Sequence, residues 1–193
     1  MNQMMKSGAI VKGSLSDIAT QTGGSLAEAF TGADCVILVD TSGSMGCHNQ
    51  NGMTRYEQAC DELRQLQESM PGKIAVVSFS SQNEVMFNPG GEPWNFGGCT
   101  DLAGALRFAK IADVPGIRFI VISDGKPDSP SDALRVAGQF RSRIDVIYTG
   151  PEEFPTGRNF LQRLAAASGG VTVTAAEAMK LADSTQQLLL ATA

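Results

Sequence analysis

The sequence predicts an α/β protein, a mostly parallel sheet with helices on both faces. Apolar β-like runs alternate with amphipathic helical stretches from Asp34 onward. The main runs, CVILV (35–39), KIAVVSFS (73–80), IRFIVIS (117–123) and IDVIYTG (144–150), are apolar on both alternations, so each needs cover on both sides. Several of these runs also end in short loops bearing Asp, Ser or Thr, and in such sheets binding sites form at the carboxyl ends of the strands.

The elements follow in order. CVILV is the first strand. Thr54–Met70 is a helix, with Tyr56, Ala59, Cys60, Leu63, Leu66 and Met70 recurring every three or four residues. Thr54 and Glu57 have capping-box spacing at its start, and Pro71-Gly72 ends it. Lys73–Ser80 is the second strand and Glu84–Phe87 its hairpin partner. The loop NPGGEPWNFGGC, rich in Gly and Pro, follows. Thr100–Ala112 is a helix and Ile117–Ser123 a buried strand. Ser129, Pro130 and Asp132 read as the N-cap, first-position proline and third-position acid of the next helix. Ile144–Gly150 is a strand, 159–168 a helix, Val171–Thr174 a short strand, and Ala178–Leu190 a closing helix. Residues 1–33 lie outside this rhythm. They hold weak helical pieces at Leu15–Thr20 and Leu26–Phe30, broken by Gly23 and Gly24, and read as an N-terminal extension packed on the domain or partly mobile, with the main domain over 34–193.

Bulk composition narrows the function. The chain has 193 residues, 42% of them hydrophobic and 18% charged, which suits one domain able to bury its own core. Its net charge of −5 comes without a visible Lys/Arg cluster, which argues against a nucleic-acid surface. The apolar runs are too short to span a bilayer, and the N-terminus has no long apolar segment of a secretory signal. Cys35, Cys47, Cys60 and Cys99 form no CxxC pair. The expected location is cytoplasmic, with reduced thiols and no membrane contact.

The stretch DTSGSMG (40–46) leaves the first strand with a carboxylate and two hydroxyls at positions i, i+2 and i+4. The strand ending in SDG adds Asp124, and the glycine loop ends in Thr100. If the first and fourth strands are neighbours at the point where the winding reverses, Asp40 and Asp124 face one crevice within reach of Thr100. Two carboxylates and three hydroxyls without His or Cys make a hard-oxygen donor set that suits Mg²⁺ or Mn²⁺. Neutral hydroxyls leave much of the metal charge uncompensated, so an open position would accept an anion, most naturally a carboxylate from another protein. The bland alternative is that the acids cap turns and the serines satisfy loop backbone. Asp40 and Asp124 read as solvent-facing carboxylates whose loss would leave the fold intact.

DTSGS resembles the DxSxS motif of the von Willebrand factor type A (vWA) family. GGCTDLAGAL is similar to that family's Gly-Gly-x-Thr stretch opening a helix, and ISDG to its strand-ending Ser-Asp-Gly. The resemblance covers roughly Asp34–Leu190. It implies a Rossmann-like, doubly wound sheet of six strands with one short antiparallel edge strand, here Glu84–Phe87. It also implies an intact metal-ion-dependent adhesion site. Ser42 and Ser44 would be direct ligands, Thr100 direct or water-bridged, and Asp40 and Asp124 would bind directly or through water. The helix at 178–190 would be the part that shifts when ligands change. By analogy with stand-alone bacterial or phage members, the protein would be an adaptor for an AAA+ ATPase or for a stress or defence complex.

The loop GCHNQNGM is longer than the family usually needs and brings His48 and Cys47 near the site, with Cys99 beside Thr100. His48, Trp94 and Phe96 are candidates for a partner-binding rim. Alternatively, the aromatics pack over the sheet end and the histidine is simply solvated. Catalysis is disfavoured. The position two after Asp40 is a serine where a haloacid-dehalogenase-type motif needs a second Asp, and there is no phosphate-binding P-loop, nucleophile elbow or partnered histidine. The expectation is therefore a metal-dependent protein-binding module and not an enzyme. The alternatives are a metal-assisted phosphohydrolase, or an assembly subunit in which the metal only staples the fold.

Overall fold

The computed structural model describes residues 10–49, 52–151 and 155–174. Among the described residues, six strands form one sheet: β1 (Cys35–Asp40), β2 (Ile74–Phe79), β3 (Val85–Phe87), β4 (Arg118–Ser123), β5 (Ile144–Tyr148) and β6 (Thr172–Thr174). Their order is β3-β2-β1-β4-β5-β6, and only the β2–β3 hairpin is antiparallel. This is the expected Rossmann-like arrangement with its short antiparallel edge. β1 is central, and the winding reverses between β1 and β4, so loops after these two strands diverge and leave a crevice.

The helices are α1 (Leu15–Thr22), α2 (Leu26–Thr31), α3 (Arg55–Ser69), α4 (Leu102–Ala109), α5 (Pro130–Ala137) and α6 (Pro155–Ser168). Alternation along β1 sends Val36 and Leu38 to one face and Cys35, Ile37 and Val39 to the other. The first face packs under Leu102 and Leu106 of α4, Val136 of α5 and Leu161 and Leu164 of α6. The second packs under Ala59, Leu63 and Leu66 of α3. Both faces are therefore dry, which is why the strands carry no polar alternation.

Local chemistry sets the helix starts. Thr54 accepts the Glu57 N–H while the Glu57 carboxylate accepts the Thr54 N–H, closing the capping box that the spacing predicted. α4 begins two residues later than expected, because Asp101 takes the cap position and accepts the Gly104 N–H at 2.9 Å. Ser129 stands at the N-cap of α5 but makes no side-chain cap hydrogen bond. α6 begins at Pro155, four residues before the expected start.

Residues 10–33 pack onto the domain. Leu15 is buried in the core, the Val11 N–H reaches the Gly90 carbonyl at 2.9 Å, and the Gly72 N–H reaches the Gly13 carbonyl at 2.8 Å. Gly13 needs to be glycine twice over: its φ is +80°, and a Cβ there would run into the Gln67 carbonyl. The closing helix expected at 178–190 lies outside the described residues. Among the described residues, no helix is long and apolar enough to cross a membrane.

Candidate metal-binding site

β1 ends on Asp40, level with Phe79 of β2. The Phe79 carbonyl accepts both the Thr41 N–H at 2.9 Å and the Thr41 hydroxyl at 3.0 Å, which fixes where the chain leaves the sheet. A 3-10 turn over Gly43–Gly46 follows, anchored by the buried Met45. The glycine loop lies along this turn. The Gly43 N–H donates to the Gly98 carbonyl and the Gly97 N–H to the Thr41 carbonyl, each at 2.9 Å. Consecutive positive φ angles at Gly97 (+70°) and Gly98 (+85°) make that approach possible.

Four of the five expected ligand residues form one continuous chain of contacts. The Ser123 hydroxyl donates to Asp40 Oδ2 at 2.6 Å, and the Ser42 N–H donates to Asp40 Oδ1 at 2.9 Å. The Ser42 and Ser44 hydroxyls share a hydrogen bond of 3.1 Å, and Ser44 donates to Asp124 Oδ1 at 2.8 Å. Asp124 Oδ2 is ion-paired with Arg55 at the start of α3. Thr100 is held differently. Its N–H donates to Asp128 Oδ2 at 3.2 Å and its carbonyl accepts the Asp128 N–H at 3.0 Å, so its backbone is pinned to the loop after β4 while no described hydrogen bond joins its hydroxyl to the others. Asp101 is the α4 cap and Asp128 the clasp on Thr100, so both are accounted for without a metal.

The carboxylates are not solvent-facing, contrary to the reading of DTSGSMG and SDG as open loops. Asp40 is fully buried and Asp124 is 7% exposed. Burial at the sheet end pushes the Asp40 carboxyl up to about 6; hydrogen bonds from Ser123 and Ser42 only partly offset it, and the nearby Asp124 charge adds to the rise. Below pH ~4 Asp40 is protonated both folded and unfolded and adds no cost. Between there and about 6 the unfolded chain ionises first, folding takes up a proton, and stability falls as pH rises. Above that the full cost, on the order of 3 kcal/mol, is present. With metal chelated, Asp40→Asn should therefore gain on the wild type in urea midpoint as pH is raised across this interval. A constant difference would show that Asp40 titrates normally.

At the rim, Trp94 is exposed and Phe96 half-buried, and the Tyr56 hydroxyl fixes their loop through the Pro93 carbonyl at 2.7 Å. His48 is exposed, on the segment between the 3-10 turn and α3, where its backbone bridges Thr54. Cys47 and Cys99 are exposed free thiols. Sequence reasoning missed Ser123, Arg55 and two glycines. Ser123 stood inside the quoted SDG motif and could have been found there. A Cβ on Gly150 would strike the Asp124 carbonyl, and one on Gly157 would lie 2.8 Å from Gly125 Cα. α6 and the end of β5 thus brace the Asp124 turn, and no local pattern announces that.

Residues 35–126 match the family model of the von Willebrand factor type A domain. The fold is that of a vWA domain. Solved structures agree. An aerotolerance-related membrane protein from Bacteroides fragilis superposes with a TM-score of 0.65 at 16% identity, over 82% of this chain and 98% of that one. The vWF domain of the type V pili tip protein Mfa5 from Porphyromonas gingivalis gives 0.60 at 14% identity, over 80% and 94%. A von Willebrand factor type A protein from Catenulispora acidiphila gives 0.53 at 19% identity; the match covers 80% of this chain and 41% of that longer one. No curated protein matches the chain in sequence.

Proposed function

We propose that this vWA domain is a protein-binding module whose grip on its partner depends on a divalent metal. Domains of this kind commonly mediate protein–protein interaction. The observation that carries the metal reading is the unbroken Asp40–Ser42–Ser44–Asp124 network, which gathers oxygen donors from two separate loops at the switch point of the sheet. Turn-capping acids would each satisfy their own loop, whereas here Ser44 spends its hydroxyl on a carboxylate 80 residues away.

The donor set suits Mg²⁺ or Mn²⁺: all oxygen, with two carboxylates against neutral hydroxyls. Asp40, Ser42, Ser44, Thr100 and Asp124 would hold the ion, directly or through water. Bound there, the metal supplies an electrophilic point that takes an Asp or Glu side chain from the partner protein. The chain's own part is to hold its donors rigid on strand ends and to present Trp94, Phe96 and His48 as the surrounding rim. No catalytic role is proposed, and the phosphohydrolase alternative requires turnover of phosphate esters with Mg²⁺ or Mn²⁺.

The test is selection from a displayed peptide library on immobilised protein with Mn²⁺, followed by elution with chelator. Eluted sequences should share an Asp or Glu whose replacement by Asn or Gln abolishes binding. Binders indifferent to chelator, or without a required carboxylate, would overturn the proposal.

A further inference from the structure

Arg55 is an odd residue for its position. It is the first residue of α3, where the aligned peptide dipoles put a partial positive charge and disfavour cations. Local helix chemistry does not ask for it, since Thr54 and Glu57 already complete the cap. Its guanidinium nevertheless turns inward, with 14% of the side chain exposed, and pairs with an Asp124 carboxylate that is 3% exposed. The same Nη1 also donates to the Ser44 carbonyl at 3.3 Å. One cation thus bridges both metal-ligand segments. With Ser44 on Oδ1 and Arg55 on Oδ2, both oxygens of Asp124 are engaged.

We infer that Arg55 is the site's built-in counter-cation, which competes with a divalent ion for Asp124 and makes metal binding depend on the partner's carboxylate. The inference rests on the metal reading above. A guanidinium stays charged at any pH the protein survives, so it cannot withdraw by losing a proton. A metal arriving at Asp124 must dislodge Arg55 or bind beside a positive charge, and either weakens its hold. The charge balance gives the second half. Asp40 and Asp124 against Arg55 leave a net charge of −1, so a bound divalent ion leaves +1 that an incoming carboxylate cancels. Without Arg55 the two acids balance the ion alone. The arginine therefore keeps the ion loosely held until a carboxylate arrives.

Calorimetric titration of Mn²⁺ into wild type, Arg55→Gln and Arg55→Lys tests this, in chloride and again with acetate replacing chloride at constant ionic strength. Arg55→Gln should bind Mn²⁺ about tenfold tighter or more, which corresponds to 1.4 kcal/mol. Arg55→Lys should stay near wild type, and acetate should tighten binding in the wild type more than in Arg55→Gln. Equal or weaker binding by a folded Arg55→Gln, or an equal acetate effect in both, overturns the inference and leaves the metal reading standing. No Mn²⁺ binding by either protein overturns the metal reading itself. If Arg55→Gln does not fold, the Arg55 Nε–Hε resonance of the wild type decides: it should shift in step with Mg²⁺ saturation, and a resonance unmoved at saturation refutes the competition.

Discussion

Mg²⁺ or Mn²⁺ should raise the melting temperature of the chelator-treated wild type, and Asp124→Asn should erase that rise. A ligand that binds only the folded state at 100 times its dissociation constant adds about 2.7 kcal/mol. For a domain of this size that is a shift of roughly 5–10 °C. Asn keeps the shape of Asp124 and can still accept the Ser44 hydroxyl at Oδ1, so the β4 turn has no reason to rearrange. What is lost is one of the two negative charges and the partner of Arg55. The variant's own midpoint in chelator should move little, because Arg55 is close enough to the surface to turn its guanidinium to water. Differential scanning fluorimetry with and without metal checks both statements. An unchanged metal shift in Asp124→Asn would remove Asp124 from the site.

Phe79→Ala should be the most destabilising of the single changes considered, at about 3–5 kcal/mol. Phe79 is fully buried at the end of β2, and its ring lies within the larger apolar cluster with Leu102, Ala103 and Leu106 of α4. The neighbours belong to a strand and a helix fixed at both ends, so they cannot collapse into the space. The Phe79 backbone also holds Thr41 and so sets the exit of β1. Urea unfolding should show the midpoint falling with an unchanged slope. Metal affinity measured well below the melting temperature should fall only modestly, since the Thr41 contacts are to the main-chain carbonyl. A loss under 1 kcal/mol would mean that the α4 side of the core repacks freely.

Much of this was legible from the chain, for identifiable reasons. The strands showed because Cys35–Val39 and Phe119–Ile122 are apolar at every position, a pattern that burial on both faces imposes. α3 showed because Thr54 and Glu57 are three apart and Leu63 and Leu66 repeat on one face. Asp40, Ser42, Ser44 and Asp124 could be grouped because motif and topology agree on the switch point. The depth of Asp40 was not legible. A DTSGS string looks like an open turn, and nothing in it says that Asp40 ends up fully buried, with the Ser123 hydroxyl of β4 donating to its carboxylate. Arg55 was invisible for a similar reason. Its partner is 69 residues away, and nothing in TRYEQ says that the first residue of the helix points at the sheet. The bracing glycines 150 and 157 act through what they lack, and composition cannot reveal that.

The hydrogen bonds that assemble the site also bear on how the chain folds. Ser123–Asp40 and Ser44–Asp124 join residues 83 and 80 apart, and β1 cannot be a central strand until both β2 and β4 have reached it. Closing loops of that length precedes any reward from the contacts, so such pairings form late and slowly. On a ribosome, β1 would emerge early and wait, apolar and unpaired, until β4 had been made. The Asp124 turn would remain unbraced until α6 followed. The site is therefore a receipt for a finished fold. A chain halted before β4 has Asp40, Ser42 and Ser44 in its sequence and nowhere to put them.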